Sequence, residues 1–244
     1  MENVRERFEQ VEKLLFWDED SVKASNVLLD MKDKLWFQDE DMLRYNLLKN
    51  YSAIHLYEGN TKRLKNTLSE IDNNFISNQT SENQLLFVDA LISRFECLFA
   101  IGLPYPSFSQ ADFDMIDKAE KILESSNQLS ERETKRQIAH LNLCKGILFR
   151  NKGNTDKFLD LAQKSEKCYE EIGNICGLSK VLVIIGYFYS NVLRDYDLAL
   201  PYYEKSLKLL KIKENASRKA YIFLRMGNCF TNKGELDKGF EYSN

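Results

Sequence analysis

The chain has 244 residues, only 3 of them proline and 10 glycine, and its formal net charge at pH 7 is −3. Few helix breakers and plentiful Leu, Lys, Glu and Asn favour an all-helical protein over a β-sheet protein, and the small net charge does not imply nucleic-acid or membrane partners. The first fifteen residues mix charges throughout, which excludes a secretory signal. The longest apolar run, 181–189 with its glycine included, is about half of a membrane span, so we expect a cytoplasmic protein.

Apolar residues recur at helical spacing along the whole chain, which predicts six successive helix–turn–helix hairpins. The first two hairpins turn at 18–20 and at Gly59. The third turns in the 102–109 loop, which holds two of the three prolines. We interpret this loop as an insertion, with a contact surface as the alternative.

The last three hairpins, 131–171, 177–213 and 217–244, are more regular. Each contains a glycine followed three residues later by an aromatic residue, and these glycines are spaced by 40 and then 41 positions. The pairs are Gly146 with Phe149, Gly186 with Tyr189, and Gly227 with Phe230. A period of this length predicts stacked supersecondary units, none of which can bury its apolar face alone. Because the sixth hairpin stops within its second helix, we expect a fragment or the start of a longer array, open at its C-terminal end.

The segment 182–207 resembles the tetratricopeptide repeat (TPR). The family pattern of a large residue, Leu-Gly, aromatics and Ala at set intervals is matched by Leu182, Ile185-Gly186, Tyr189, Tyr196, Ala199, Tyr203 and Ser206-Leu207. The turn glycine is missing, with Leu193 near its place and one extra residue before Asp195. The resemblance is good over 140–244 and looser over the divergent hairpins at 1–127, and the repeat unit is longer than the family's ~34 residues. It implies an all-α, right-handed superhelix (a solenoid) of antiparallel helix pairs that forms a single domain over 1–244.

In the TPR family the first helix of each hairpin lines a concave groove. The resemblance therefore implies a peptide-binding groove whose polar edges flank an apolar middle, a surface that suits an amphipathic helix or an extended peptide. The predicted groove residues are Leu143, Ile147, Asn151, Val183, Ile184, Tyr187, Asn191, Arg225 and Asn228, with Tyr221 and Leu224 on the same faces. The alternative is that Ile147 and Ile184 pack on neighbouring helices and that Asn151 and Asn191 only form turns. Related peptide-binding arrays often carry Asn two places before the repeat glycine, where this chain has Cys144, Ile184 and Arg225.

Metal and cofactor sites find no support in the sequence. The five cysteines lack CxxC spacing and are interpreted as small buried hydrophobes of a reducing compartment. Asp112, Asp114 and Asp117 open a helix, where carboxylates favour the helix dipole, and the glycine and terminal glutamate of an EF-hand are missing.

The remaining motifs favour binding over catalysis. The chain has only two histidines and no P-loop, dinucleotide-binding or HExxH motif, and its basic stripe at 205–219 lacks the interleaved aromatics of a nucleic-acid site. We therefore predict a non-enzymatic, cytoplasmic protein–protein interaction scaffold that binds a peptide or protein segment in the groove. The alternatives are a ligand- or peptide-sensing regulator with an effector module at 1–127, and an accessory repeat domain of a longer enzyme. The open C-terminal end can also mediate self-association.

Overall fold

The computed structural model describes residues 7, 10–11, 23, 26–27, 30, 61–77, 84–100, 109–127, 129–210 and 216–243. Within these ranges every regular element is helical and none is a strand, which confirms the all-α prediction. The predicted first hairpin, apart from a few isolated helical positions, the first helix of the second hairpin and nearly all of the 102–109 loop lie outside the described residues. The chain divides into two compact units, 1–126 and 127–244, and the single-domain interpretation stays a prediction.

The first unit contains three described helices. They are α1 (Thr61–Ile71), which continues into a π-helical turn (Asp72–Ser77), α2 (Gln84–Ala100) and α3 (Gln110–Ser125). Ile71, Val88 and Phe95 belong to its core. These side chains lie at helical spacing on their elements, so burying them holds the helices together.

Arg94 on α2 is the main polar link of the first unit. Its Nη1 donates to Asp112 Oδ1 at 3.1 Å, and its Nε lies 3.1 Å from the enclosed Oδ1 of Asp72 without an aligned hydrogen bond. Asp112 also accepts a hydrogen bond from the backbone N–H of Ser109 at 2.8 Å. This carboxylate therefore caps the start of α3 and pairs with Arg94, so its place in the first helical turn has a structural explanation.

The second unit contains three helix pairs. They are α4 (Glu131–Asn151) with α5 (Thr155–Glu171), α6 (Ile175–Phe188) with α7 (Tyr196–Leu209), and α8 (Ala216–Asn232) with α9 (Leu236–Ser243). The two helices of each pair pack against each other. The second helix of one pair also packs against the first helix of the next, α5 against α6 and α7 against α8. The hairpins were predicted at 131–171, 177–213 and 217–244, and the described pairs span 131–171, 175–209 and 216–243.

The turns inside the three pairs share one local design. Each turn contains a residue in the left-handed backbone region: Gly153 (φ 79°), Arg194 (φ 57°) and Gly234 (φ 82°). In the first two turns the next residue caps the following helix, because Asn154 accepts from the N–H of Lys157 and Asp195 from that of Leu198. Arg194 therefore holds the position of the missing turn glycine.

The extra residue of the middle hairpin is accommodated in a π-helical turn. After α6 the chain continues through Tyr189–Leu193 in this wider conformation, and the N–H of Asp195 donates to the carbonyl of Tyr189 at 2.9 Å. A π-turn takes one more residue than an α-turn of the same rise, so the insertion leaves the spacing of the helices unchanged.

One segment among the described residues, Ile175–Leu193, is long and apolar enough to cross a membrane. Its side chains at Val181, Leu182, Ile185 and Phe188 are fully buried within the fold. The segment is the central core helix of the second unit, and core helices pass the same test of length and apolarity.

Close packing at the repeat glycine fixes the distance between α6 and α7. A Cβ atom built on Gly186 would lie 2.9 Å from Cε1 of Tyr203, whose ring is fully buried. Ala199 is also fully buried on the facing helix. Small residues at these two positions let the tyrosine ring fill the space between the helices.

Candidate functional site

The nine predicted groove residues fall into three groups in the structure. Three of them are core side chains with little exposure. They are Leu143 (2 % exposed), Ile147 (2 %) and Val183 (9 %). Ile184, Tyr187 and Arg225 are half-buried, whereas Asn151, Asn191 and Asn228 are exposed. Only the last six therefore present surface to a partner, and the lining of a groove by all nine stays a prediction.

The accessible residues of α6 and α8, which meet where Arg225 contacts Tyr187, make up a surface that we call the α6–α8 strip. It consists of Ile184, Tyr187, Tyr221, Leu224, Arg225 and Asn228. Ile184 and Tyr187 are three positions apart, and Tyr221 and Asn228 each lie three or four positions from both Leu224 and Arg225, so the residues on each helix share a face. Leu224 is about half exposed and Tyr221 somewhat less. The strip therefore offers apolar surface next to a cation and an amide.

Arg225 occupies the middle of the strip and joins its two helices. Its guanidinium carbon lies 4.9 Å from the ring centroid of Tyr187 on α6 and 4.7 Å from that of Tyr221 on α8. Both distances fall within the range of cation–π attraction. Its Nε is enclosed and has no hydrogen-bond acceptor in the part of the chain that the structure describes.

The asparagines near the helix ends differ in how far their side chains are engaged. Asn191 donates to Ser190 Oγ at 2.8 Å, and Ser190 Oγ lies 3.1 Å from the hydroxyl of Tyr203. Asn151 accepts from the neighbouring Arg150 at 3.2 Å. These two amides thus contact their immediate neighbours, whereas no hydrogen bond to the Asn228 side chain occurs among the described residues.

Below the strip the polar groups are buried and neutral. Burial raises the pKa of the Tyr203 phenol well above its ordinary value, and burial also raises the pKa of the Cys229 thiol. Both groups therefore stay protonated at neutral pH. Both belong to the buried core of this part of the unit, so recognition is left to the guanidinium, amide and apolar side chains of the strip.

A recess in the same unit lies beside the start of α4 and has a volume of about 260 Å³. Its two arginines are already engaged within the fold. Arg132 Nε donates to the carbonyl of Ile172 at 3.2 Å, and Arg136 Nε donates to Glu133 at 2.8 Å. The two arginine side chains of the recess are thus held by contacts within the fold.

A scan of the sequence against protein-family models and a search of curated proteins gave no match. Solved structures do resemble the chain. The crystal structure of a Rap protein complexed with Competence and Sporulation Factor matches with a TM-score of 0.60 and 17 % identity, over 99 % of this chain and 63 % of that one. The apo form of RapI matches with a TM-score of 0.55 and 13 % identity, over 98 % of this chain and 63 % of that one.

At these identities the likeness concerns the fold alone. The chain spans 63 % of the length of each of these two structures. Membership of the TPR family and the length of its repeat stay predictions, whereas the prediction of an all-α helical-repeat protein is confirmed, with a fold similar to that of Rap proteins.

Proposed function

We propose that this chain is a non-enzymatic helical-repeat protein that binds a peptide or an extended protein segment on the α6–α8 strip. The observation that carries the proposal is the composition of the strip. The rings of Tyr187 and Tyr221 flank the guanidinium of Arg225. Exposed Leu224 precedes Arg225 on α8, and Asn228 lies about one turn further along the helix. Apolar anchors of this kind supply affinity, and polar groups beside them fix the register of a bound segment.

The similar structures support the same proposal at the level of the fold. One of them is a Rap protein in complex with Competence and Sporulation Factor, so a helical-repeat fold of this kind is compatible with holding another molecule. A cytoplasmic location, and partners that are proteins or peptides and not nucleic acids, membranes or cofactors, are parts of this proposal.

A ligand-sensing regulator is the second candidate. The division of the chain into compact units at 1–126 and 127–244 favours it, because a second unit that binds a peptide could change the activity of the first. Hydrogen exchange measured with and without a bound peptide would separate the candidates. A regulator should change protection in 61–126, whereas a passive scaffold should change it only in 127–244.

The proposal is tested with a matched pair of substitutions, Leu224→Glu on the strip and Leu198→Glu on α7. The two leucines are 49 % and 50 % exposed, so each change should cost little stability. Binding to an immobilised random-peptide library is measured for the wild type and both variants, with helicity checked by circular dichroism. We expect Leu224→Glu to lose binding by about tenfold or more, since an apolar anchor is lost and a charge is desolvated, whereas Leu198→Glu should bind like the wild type. Equal binding by the two variants would exclude the strip as the site.

A further inference from the structure

Arg225 has the environment of a recognition residue and not of a structural ion pair. Three other cations of the second unit are engaged by acceptors. Lys205 contacts Glu166 at 2.8 Å, Lys233 contacts Asp197 at 2.6 Å, and Arg218 donates to the carbonyl of Cys176 at 3.2 Å. For Arg225, the described part of the chain provides two aromatic rings but no carboxylate and no hydrogen-bond acceptor.

The two ring contacts leave the hydrogen-bonding edge of Arg225 unused. A guanidinium carries its N–H donors in its own plane, whereas cation–π attraction engages its faces. Rings at 4.9 and 4.7 Å therefore stabilise the charge without consuming any donor. The donor edge is suited to the two oxygens of a carboxylate, which accept two parallel N–H bonds.

We propose that Arg225 is the carboxylate-binding residue of the α6–α8 strip, so that the bound segment is selected for a carboxylate held between Tyr187 and Tyr221. This inference rests on the proposed function, since it names the chemistry of the segment that the strip binds. The carboxylate comes from an Asp or Glu side chain or from the C-terminus of the segment. Arg225 is the only cation of the strip as the structure describes it, and its single charge matches a carboxylate better than a doubly charged phosphate.

The surroundings of Arg225 lower the cost of binding. The tyrosines come from two helices of the same unit, so the guanidinium is held in place before a ligand arrives, and little side-chain entropy is lost on binding. Leu224 lies beside Arg225 in the sequence and Asn228 lies one turn further along α8. A segment whose carboxylate meets Arg225 therefore also finds an apolar contact and an amide for its backbone.

The repeat supports a specialised role for this position. The equivalent residues two places before the repeat glycine are Cys144, which is buried, and Ile184, which is half-buried. Neither can bind an anion. The stacking of the helices does not require a cation at this position, because the other two units pack without one.

The experiment uses three fluorescent pentapeptide libraries and the full chain. The first library lacks Asp and Glu and has a free C-terminal carboxylate, the second is the same library with a C-terminal amide, and the third is amidated but includes Asp and Glu. Affinities of the best binders from each library are measured by fluorescence anisotropy. We expect carboxylate-bearing peptides to bind about tenfold or more tightly than the matched amide or Asn/Gln peptides, as a hydrogen bond to a charged group predicts. A preference for the first library identifies the terminal carboxylate, and a preference for the third identifies a side chain.

The variants separate recognition from structure. Arg225→Gln should lose the preference for carboxylates, and Arg225→Lys should keep part of it because the charge remains while the planar fork is lost. The control Lys208→Gln removes one positive charge from an exposed site on α7 and should bind like the wild type. Thermal unfolding of each variant reports any purely structural role of Arg225.

The possible failures are distinguishable. If the wild type binds the acidic and neutral peptides equally well while Leu224→Glu still abolishes binding, the strip binds peptides but the inference about Arg225 is wrong. This comparison needs no variant of Arg225 and so does not depend on whether that variant folds. If Arg225→Gln folds and keeps the full carboxylate preference, the inference is also overturned. If no library binds, the inference and the proposed function fail together.

Discussion

Two serines occupy the same repeat position but have opposite surroundings. Ser165 on α5 and Ser206 on α7 are 41 positions apart and both are fully buried. Ser206 Oγ lies 2.8 Å from Ser179 Oγ and donates to the carbonyl of Ser179 at 3.1 Å. Ser165 Oγ is buried without a hydrogen-bond partner among the described residues. The repeat explains the difference, because the residue equivalent to Ser179 in the preceding unit is Ala139.

Replacing each serine by alanine should therefore change stability in opposite directions. Ser206→Ala removes two hydrogen bonds and leaves the Ser179 hydroxyl buried without its partner, which costs about 1–3 kcal/mol. The higher helix propensity of alanine returns about 0.5 kcal/mol, so a net loss of about 0.5–2.5 kcal/mol is expected. Ser165→Ala removes a hydroxyl that is desolvated without compensation and gains the same propensity, so we expect a net increase of about 1–2 kcal/mol.

The free energy of unfolding is measured by urea denaturation of the full chain and followed by circular dichroism at 222 nm, which reports helix content. A double-mutant cycle on Ser179 and Ser206 should show a coupling energy of about 1 kcal/mol. As a complementary change, Ala139→Ser should supply Ser165 with a hydrogen-bond partner. In that background Ser165→Ala should lower the free energy of unfolding instead of raising it. A loss of stability in Ser165→Ala similar to that in Ser206→Ala would refute the reasoning, since the hydrogen-bond difference between the two units would then have no energetic effect.

Three further predictions concern other parts of the chain. Gly177→Ala should lower the melting temperature, because the added Cβ would lie 2.4 Å from the buried ring of Tyr169 and overpacking typically costs about 1–3 kcal/mol. Burial raises the pKa of Asp72, so the stability linked to its protonation is present below its unfolded-state pKa of about 3.9 and is lost as pH rises through the raised folded-state pKa. Asp72→Asn should therefore melt at a higher temperature than the wild type at pH 7, and by a smaller margin at pH 4; equal margins would contradict this. Phe240 is 68 % exposed, whereas Leu200 at the equivalent repeat position is 8 % exposed, so we propose that this open face of α9 mediates self-association, which sedimentation velocity should detect and Phe240→Glu should abolish.

The repeat boundaries were predictable because they depend on local sequence. The hairpin predicted at 131–171 begins and ends at the same residues as α4 and α5. Gly153 and Gly234 mark turns that need a left-handed residue, and apolar spacing marks the helices between such turns. Each of these signals lies within a few residues of the boundary that it determines.

The π-helical turn after α6 could not be predicted from the spacing of the repeats. The extra residue before Asp195 was visible from the alignment of the repeats. Its accommodation in Tyr189–Leu193, and the left-handed conformation of Arg194, were not predicted. Spacing counts residues, but it does not determine whether an insertion widens a helix or lengthens a loop.

The burial of Leu143 and Ile147 has a similar origin. The repeat pattern assigned both residues to an accessible face, yet each is 2 % exposed. A helix that has neighbours on several sides is apolar on more than one face, so periodicity alone does not say which apolar face remains open. Exposure also differs between units with the same pattern. Ile184 on α6 is half-buried, whereas Cys144 at the equivalent position of α4 is buried.

The environment of Arg225 depends on contacts that are both local and distant. Tyr221 lies four residues before Arg225 on the same helix, a spacing from which one ring contact could have been predicted. Tyr187 belongs to another helix, and its contact with Arg225 requires the register between α6 and α8. That register is set by the repeat glycines, because Gly186 admits the Tyr203 ring and thereby fixes the position of α6. A substitution at Gly186 should therefore change the carboxylate preference at Arg225 through the helix register, even though the glycine belongs to the packed side of its helix.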